Sequence, residues 1–258
     1  MAKPWIKLAC VSVFIIVSCT AYVFCFGAQT LFAMQTWKLG RQVPIVASVP
    51  RELEDSMIAQ APGEKLSFEE AQFEVPWADL DSANTKVVGN CALMKFRSGN
   101  SILLCVGPSN MFMKNLFATQ KAEPELFTRI YGQEVLHSDY TLMKAIYDTT
   151  PSSITLFTSS SRAAGLASVM LIKAIAPPTT DSAIYNVRSN EFQGFQLGDP
   201  SRRPAKMCLQ LYSQDIEFEF SLKQSGTGLY PAITQRDLNR IIQTAHRAPS
   251  AQPIVVLR

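Results

Sequence analysis

The stretch NCALMKFRSGNSILLCVG, residues 90–107, decides how this chain is expected to fold. Two apolar runs, residues 91–96 and 102–106, flank the polar segment RSGN. Within that segment, Gly99 and Asn100 tolerate the positive φ angles that tight hairpin turns require. The pattern therefore predicts two antiparallel β-strands joined by a short turn.

Further strands are expected on both sides of this hairpin. Before it, the segment LSFEEAQFEV ends at Pro76, and proline commonly marks the end of a strand. After it, AIYNVRS leads into EFQGFQLG, and KMCLQLYS leads into DIEFEFSLK. In DIEFEFSLK, residues 215–223, every second residue is apolar. This alternation is typical of an antiparallel strand with one buried face.

Helices are expected between and after these strands. Residues 109–176 contain the capping serines, apolar faces and terminating prolines of a helical segment. Near the end of the chain, TQRDLNRIIQTAH begins with Thr234 as a cap, has Asp237 in its first turn, and carries an apolar stripe. Together these elements predict an α+β domain with an antiparallel β-sheet and packed helices.

Two resemblances follow from these segments. The strands EFQGFQLG, KMCLQLY and IEFEFSL, followed by an amphipathic helix, resemble the Mog1/PsbP-like fold. The long helical middle departs from that pattern. The stretches FEVPW and FRSG resemble those of bacterial membrane-anchored proteins to which no activity is assigned. Neither resemblance implies a functional residue.

The N-terminal segment predicts a membrane anchor. Residues 8–37 contain no charged residue, and the apolar core of this run, residues 8–28, is long enough for a helix to cross a bilayer. Trp5 and Trp37 lie near its ends, where interfacial aromatic rings are favoured. We therefore expect a retained transmembrane helix. The alternatives are a cleaved signal peptide and a lipoprotein signal, in which the IVSC segment would be lipidated on Cys19.

The positive charge of the chain is concentrated beside this run. The 258 residues include 24 Lys and Arg against 21 Asp and Glu, and four of the cations lie within residues 1–41, which hold no acid. The remainder is nearly neutral, so no nucleic-acid partner is predicted. Two cations lie on each side of the run, so the count of charged side chains favours neither orientation. The N-terminal amine and the shortness of the N-terminal tail predict a single-pass protein with its N-terminus in the cytoplasm and its folded domain outside.

These features divide the chain into four predicted parts. Residues 1–37 form the membrane anchor, and residues 38–64 form a juxtamembrane linker that several prolines interrupt. Residues 65–250 form the α+β domain. Residues 251–258 form a C-terminal tail.

Cys91 and Cys105 fall near facing positions on the two strands of the predicted hairpin. A disulfide bond there would close a loop of about 15 residues and stabilise the domain by about 3 kcal/mol. The alternative is a pair of free core thiols, because cysteine is among the most buried residue types. The spacing leaves both open, since a shift of one residue in register would turn one side chain to the opposite face.

No sequence motif of a zinc protease, an α/β-hydrolase, a P-loop NTPase or a dinucleotide-binding fold occurs. We therefore expect no metal and no cofactor, and a non-catalytic module that binds another envelope protein or a small ligand. One alternative is a serine-dependent hydrolase that uses Ser159, Ser160 or Ser161 with His137. Serines at that position ordinarily cap the following helix. The other alternative is a structural subunit of a membrane assembly.

Overall fold

The structure of the protein is a computed structural model. It describes residues 4–42, 45–53, 63–119, 123–155, 157–175, 183–201, 206–224 and 233–257. The chain divides into two compact units. The helical unit comprises Met1–Ile45 and Thr149–Ile175, and the sheet unit comprises Val46–Asp148 and Ala176–Arg258.

The sheet unit confirms the predicted α+β architecture. Its main sheet has eight strands, and neighbouring strands are antiparallel except at one edge, where the first two are parallel. In spatial order these strands are β1 (Val49–Pro50), β6 (Ile184–Arg188), β7 (Gln193–Leu197), β8 (Lys206–Tyr212), β9 (Ile216–Lys223), β5 (Ser101–Pro108), β4 (Cys91–Lys95) and β3 (Lys86–Val88).

The predicted hairpin is confirmed as the pair formed by β4 and β5. Cys91 lies opposite Cys105, and the register continues to Lys95 opposite Ser101. In the turn, Gly99 has a φ of 83°, a left-handed conformation that glycine adopts without strain. Its N–H donates a hydrogen bond to the Phe96 carbonyl at 2.8 Å. The turn chemistry and the strand register therefore agree.

One face of the main sheet is covered by a second, two-stranded sheet and a helix. Strand β2 (Glu64–Val75) pairs antiparallel with β10 (His246–Leu257), and α6 (Gln235–Thr244) packs against β2. The predicted cap is confirmed, because the Thr234 hydroxyl accepts a hydrogen bond from the Asp237 N–H at 3.2 Å. Strand β10 includes residues 251–257, for which the sequence predicts a tail.

The main hydrophobic core lies between this covering layer and the main sheet. Phe73 of β2 packs edge-to-face on Phe220 of β9, with ring centroids 5.0 Å apart. The apolar residues of DIEFEFSLK point into this core, as their alternation predicts. The large fully buried side chains here include Leu66, Phe73, Met94, Ile102, Leu104, Met207, Phe218 and Phe220.

Helices cover part of the opposite face of the main sheet. They are α2 (Met111–Lys114), α3 (Pro124–Tyr131) and α4 (Asp139–Asp148), with a π-helical turn at Asn115–Thr119 and a 3₁₀ turn at Gln133–Leu136. Tyr147 of α4 packs edge-to-face on Phe195 of β7, with ring centroids 4.9 Å apart. This helical layer, rather than solvent, therefore faces much of β7 and β8.

The helical unit contains two helices that pack on one another. They are α1 (Pro4–Gln42) and α5 (Ser160–Ile175), and a 3₁₀ turn at Pro151–Ser153 also contacts both. Helix α1 continues into the start of the predicted linker, residues 38–42. Within the described ranges, no helix combines the length and the apolar character that a membrane crossing requires.

Candidate functional site

Three carboxyl groups gather on the helix-covered face of the main sheet. Asp139 is the first residue of α4, and Glu217 and Glu219 lie on β9. Because side chains alternate along a strand, Glu217 and Glu219 point away from the core that receives Phe218 and Phe220. The alternation that builds the core therefore also places two acidic side chains side by side on the other face.

Asp139 is held in position by the start of α2. It is buried, and its two carboxylate oxygens accept hydrogen bonds from the backbone N–H groups of Phe112 at 2.7 Å and Met113 at 3.0 Å. The first N–H groups of a helix have no partner within the helix, so a carboxylate from elsewhere in the fold can satisfy them. This contact ties α4 to α2.

Glu217 is an unusual buried acid. Its side chain is hydrogen-bonded to Asp139, and the residue is only 8% exposed. Burial, the negative charge of Asp139 with its hydrogen bond, and the negative charge of Glu219 together raise the pKa of the Glu217 carboxyl to about 8, and burial has the largest effect. The Oε2 atom of Glu217 is buried, and no hydrogen-bond donor to it is found among the described residues.

Polar and aromatic side chains surround these acids. The Tyr147 hydroxyl donates to the Gln210 side-chain oxygen at 2.9 Å, and the Cys208 thiol lies 3.7 Å from a carboxylate oxygen of Glu219. Burial raises the pKa of Tyr147 and that of Tyr212 above the ordinary range of a phenol. Both hydroxyl groups therefore stay protonated across the physiological pH range.

Two cavities open on either side of the Asp139–Glu217 pair. The polar cleft, about 450 Å³, is lined by residues that include Asn110, His137, Asp139, Arg188, Glu191 and Tyr212. The acidic groove, about 370 Å³, is lined by Met111, Phe112, Asn115, Gln210, Tyr212, Glu217, Phe218 and Glu219. Tyr212 lines both cavities. A bound molecule in the groove would meet carboxyl and amide groups on one side and apolar side chains on the other.

The arrangement suits binding and proton exchange. Two carboxyl groups in direct contact cannot both ionise easily, so the pair tends to hold one proton between them. The described part of the chain contains no group of three or more His, Cys, Asp or Glu side chains placed to hold a metal ion. The groove therefore offers acceptors to a ligand that carries its own donors.

The residues of the predicted serine–histidine pair belong to different units. Ser159 precedes α5 in the helical unit, where its hydroxyl accepts a weak hydrogen bond from the Arg162 N–H at 3.4 Å. His137 lies in the sheet unit and lines the polar cleft, with its Nδ1 2.7 Å from a carboxylate oxygen of Glu134. The hydroxyl groups of Ser159 and Ser161 lie 3.5 Å apart. The hydrolase alternative stays a prediction.

The cysteines of the sequence analysis lie in both units. The structure joins Cys91 and Cys105 by a disulfide bond between β4 and β5, with their Cα atoms 4.1 Å apart. Cys19 is exposed on α1 as a thiol, and its lipidation stays a prediction. The Cys91–Cys105 pair lies on the same face of the main sheet as Glu219, which is opposite Cys105 in the register of β5 and β9.

Replacing Glu217 with glutamine is expected to stabilise the protein at alkaline pH. Below its unfolded-state pKa the Glu217 carboxyl is protonated in both states and affects stability little. As pH rises towards about 8, the unfolded chain releases this proton while the folded protein retains it, so the wild type loses stability. Glutamine cannot ionise. Urea unfolding at pH 5 and pH 9 should show an advantage of Glu217→Gln that grows with pH.

The matched control for this measurement is Glu125→Gln, in the first turn of α3, because Glu125 is exposed. Its unfolding free energy should keep the same pH dependence as that of the wild type. Parallel pH profiles for the wild type and Glu217→Gln would contradict the raised pKa of Glu217.

The acid pair was not predicted from the sequence. The alternation in DIEFEFSLK indicates that Glu217 and Glu219 share one face, and acidic residues on a half-buried strand normally face water. The segments that form β9 and α4 can be recognised in the sequence, but their contact cannot. Comparisons of this chain with protein-family models, with curated proteins and with solved structures found no match.

Proposed function

We propose that this protein is a non-catalytic, membrane-anchored binding module. In this proposal α1 holds the chain in the bilayer as a single-pass anchor with its N-terminus in the cytoplasm. The sheet unit then lies outside the cytoplasm, where it binds a small ligand or another envelope protein. The polar cleft and the acidic groove are candidate binding sites in the sheet unit.

The observation that carries the anchoring proposal is the exposed apolar surface of α1. Large apolar side chains that are more than half exposed recur along the helix, at Ile15, Ile16, Val17, Val23, Leu31, Met34 and Trp37. Soluble proteins rarely leave so much contiguous apolar surface in water, because its hydration is unfavourable. Lipid would cover this surface and remove that free-energy cost. The side chains of residues 4–14 lie outside those described, and there the proposal rests on the uncharged sequence.

The C-terminal end of α1 has features of a membrane interface. Trp37 is the last residue of the uncharged run, and the Arg41 guanidinium lies 3.6 Å from the centre of its ring. Tryptophan favours the headgroup region, and arginine extends its charge towards water from such a position. Lys38 adds a second cation there. These residues suit a helix that leaves the bilayer near Trp37.

The disulfide bond supports the proposed location of the sheet unit. Disulfide bonds persist in oxidising compartments and are rare in the reducing cytoplasm. Cys91 and Cys105 are paired directly across two neighbouring strands. An extracytoplasmic sheet unit would allow this bond to form and persist.

Replacing Ile16 and Val23 of α1 with arginine is expected to detach the protein from membranes. Ile16 and Val23 are 63% and 66% exposed, and their spacing of two helical turns places them on one side of α1. Each arginine costs roughly 2.5–3.5 kcal/mol at the centre of a membrane-spanning helix. The wild type should float with membranes in a density gradient after alkaline extraction. The Ile16→Arg/Val23→Arg variant should remain at the bottom.

The matched control is Val88→Arg, which adds a charge at an apolar residue of β3 that is 77% exposed. This variant should float as the wild type does. Flotation separates membrane-bound protein from aggregates, which sediment. Flotation of the double variant to the same extent as the wild type would contradict the anchoring role of α1.

A further inference from the structure

We propose that the acidic groove binds a small organic cation, whose charged group lies against Glu217 and Glu219 and whose apolar part lies against Met111 and Phe112. This inference rests on the binding role proposed above and gives the class of ligand. It does not depend on attachment to a membrane. A guanidinium or ammonium group on a short hydrocarbon chain has the chemistry that this groove would recognise.

The first observation is the unsatisfied oxygen of Glu217. More than nine-tenths of this residue is buried, and its Oε2 atom accepts no hydrogen bond from the described residues. Buried carboxyl oxygens nearly always have a partner, because leaving one without a donor costs free energy. Glu217 lines the groove. A donor supplied by a molecule in the groove would satisfy the Oε2 atom.

The second observation is the charge of the groove. Two of its lining residues, Glu217 and Glu219, are acids, and the Glu217 side chain is hydrogen-bonded to a further acid, Asp139. None of the described residues that line the groove is a lysine, arginine or histidine. Negative charges in a concave, partly apolar site attract a cation more strongly than the same charges in open solvent. The preferred ligand therefore carries positive charge.

The walls of the groove favour an organic cation over a metal ion. Met111 and Phe112 form an apolar side, and the aromatic ring of Tyr212 adds a surface for cation–π contact. Calcium and magnesium ions require six or more oxygen ligands in a regular shell, whereas thioether and phenyl groups offer none. A cation with a hydrocarbon part can use both sides of the groove.

Gly107 of β5 helps to form the apolar wall. It lies opposite Glu217 in the strand register, and a Cβ atom built on it would lie 2.7 Å from the Met111 sulfur. Glycine at this position therefore lets Met111 pack directly on the sheet beside Glu217. The thioether is flexible and polarisable, which suits a wall that contacts an apolar ligand.

Cation binding is expected to release a proton from Glu217. The groups that face Glu217 are Asp139 from α4, Glu219 from β9 and the Tyr212 hydroxyl from β8, and none of them is a cation. In the empty groove the Glu217 carboxyl holds its proton up to a pKa of about 8. When a cation binds, this carboxyl ionises, its proton passes to solvent, and the carboxylate pairs with the ligand.

The test is titration calorimetry on the full chain in detergent micelles, with n-butylguanidinium as the probe. This probe stays charged at every pH used, so changes in affinity report the protein. With a pKa of about 8 for Glu217, affinity should be about 30-fold higher at pH 9 than at pH 6.5. At pH 6.5, buffers of different ionisation enthalpy should reveal the release of nearly one proton per bound probe.

Variants and a neutral probe make the outcome decisive. Glu217→Gln keeps the shape of the side chain and should lower the affinity at pH 9 at least tenfold, whereas Glu125→Gln should leave it unchanged. Neutral n-butylurea has the same shape as the probe and should bind at least tenfold more weakly. Equal affinity of the wild type and Glu217→Gln, equal affinity for both probes, or no binding to the folded protein at pH 9 would each overturn the proposal.

The membrane-anchor proposal and the cation-binding proposal can be contradicted independently of each other. Loss of cation binding in a protein that still floats with membranes would remove the groove inference and leave the anchor. Cation binding by a protein that does not float would remove the anchor and support the groove inference.

Discussion

Replacing Phe220 with alanine is expected to lower the free energy of unfolding by about 3–5 kcal/mol. Phe220 lies on β9, one of the central strands of the main sheet, and its side chain is fully buried. Its ring packs edge-to-face on Phe73 at 5.0 Å and on Phe218 at 6.4 Å. The substitution removes these contacts and leaves a cavity between the main sheet and β2, which the rigid neighbouring strands cannot fill.

The matched control is the same substitution at Phe157, whose side chain is 94% exposed in the helical unit. An exposed ring loses few contacts on truncation, so Phe157→Ala should change the unfolding free energy by no more than about 0.5 kcal/mol. Urea unfolding of the full chain in detergent micelles would be followed by the fluorescence of Trp77. That ring is buried in the same core and contacts Phe96.

The fluorescence must report the sheet unit alone. Trp5 and Trp37 lie on α1, so all proteins would carry phenylalanine at these two positions. A decrease of less than about 1 kcal/mol in the unfolding free energy of Phe220→Ala would contradict the packing of β2 on the main sheet. Truncating a buried phenylalanine in a packed core destabilises a protein by more than this. Equal losses at Phe220 and Phe157 would contradict it as well.

Removing the disulfide bond is expected to lower the free energy of unfolding by about 3 kcal/mol. Cys91 and Cys105 are separated by 14 positions, and their bond restricts the unfolded chain to conformations in which this loop is closed. The folded hairpin places the two residues opposite each other in any case. The Cys91→Ala/Cys105→Ala variant should therefore keep the fold and unfold at lower urea concentration than the wild type.

A reducing agent provides the internal control for this comparison. Reductant should bring the wild type close to the double alanine variant and should leave the variant unchanged. Cys19→Ser, which alters an exposed thiol on α1, should behave as the wild type. If reductant leaves the unfolding free energy of the wild type unchanged, the stabilising role of the bond is contradicted.

The same cysteines test where the sheet unit lies in the cell. In native membranes a thiol reagent should label Cys91 and Cys105 only after reduction, because an extracytoplasmic disulfide bond persists without reductant. Labelling before reduction would contradict the proposed location. This readout is independent of stability, since it reports the redox state of the residues as the cell leaves them.

Several elements of the fold could be predicted from the sequence because their causes are local. The β4–β5 hairpin depends on two apolar runs and on Gly99 in the turn between them. The start of α6 depends on Thr234 and Asp237, which are three positions apart. The Mog1/PsbP-like resemblance concerns the arrangement of such elements in space, and it stays a prediction. The membrane anchor likewise stays a proposal, which rests on the apolar N-terminal run of the sequence and on the exposed apolar side chains of α1.

The candidate site could not be predicted, because it depends on segments that are distant in the chain. The sequence by itself determined that Glu217 and Glu219 share one face of β9, since side chains alternate along any strand. It did not determine what covers that face. The tertiary structure places α2 and α4 against it and brings Asp139 into contact with Glu217.

This contact changes the chemistry of the acids. A carboxyl group in water ionises near its ordinary pKa, whereas the buried Glu217 keeps its proton to about pH 8 beside a second acid. Local sequence patterns decided which residues form strands and which way their side chains point. Long-range packing decided which of those side chains lost water. Loss of water at Glu217, beside the exposed Glu219, is the physical reason that this face of β9 became a candidate binding site.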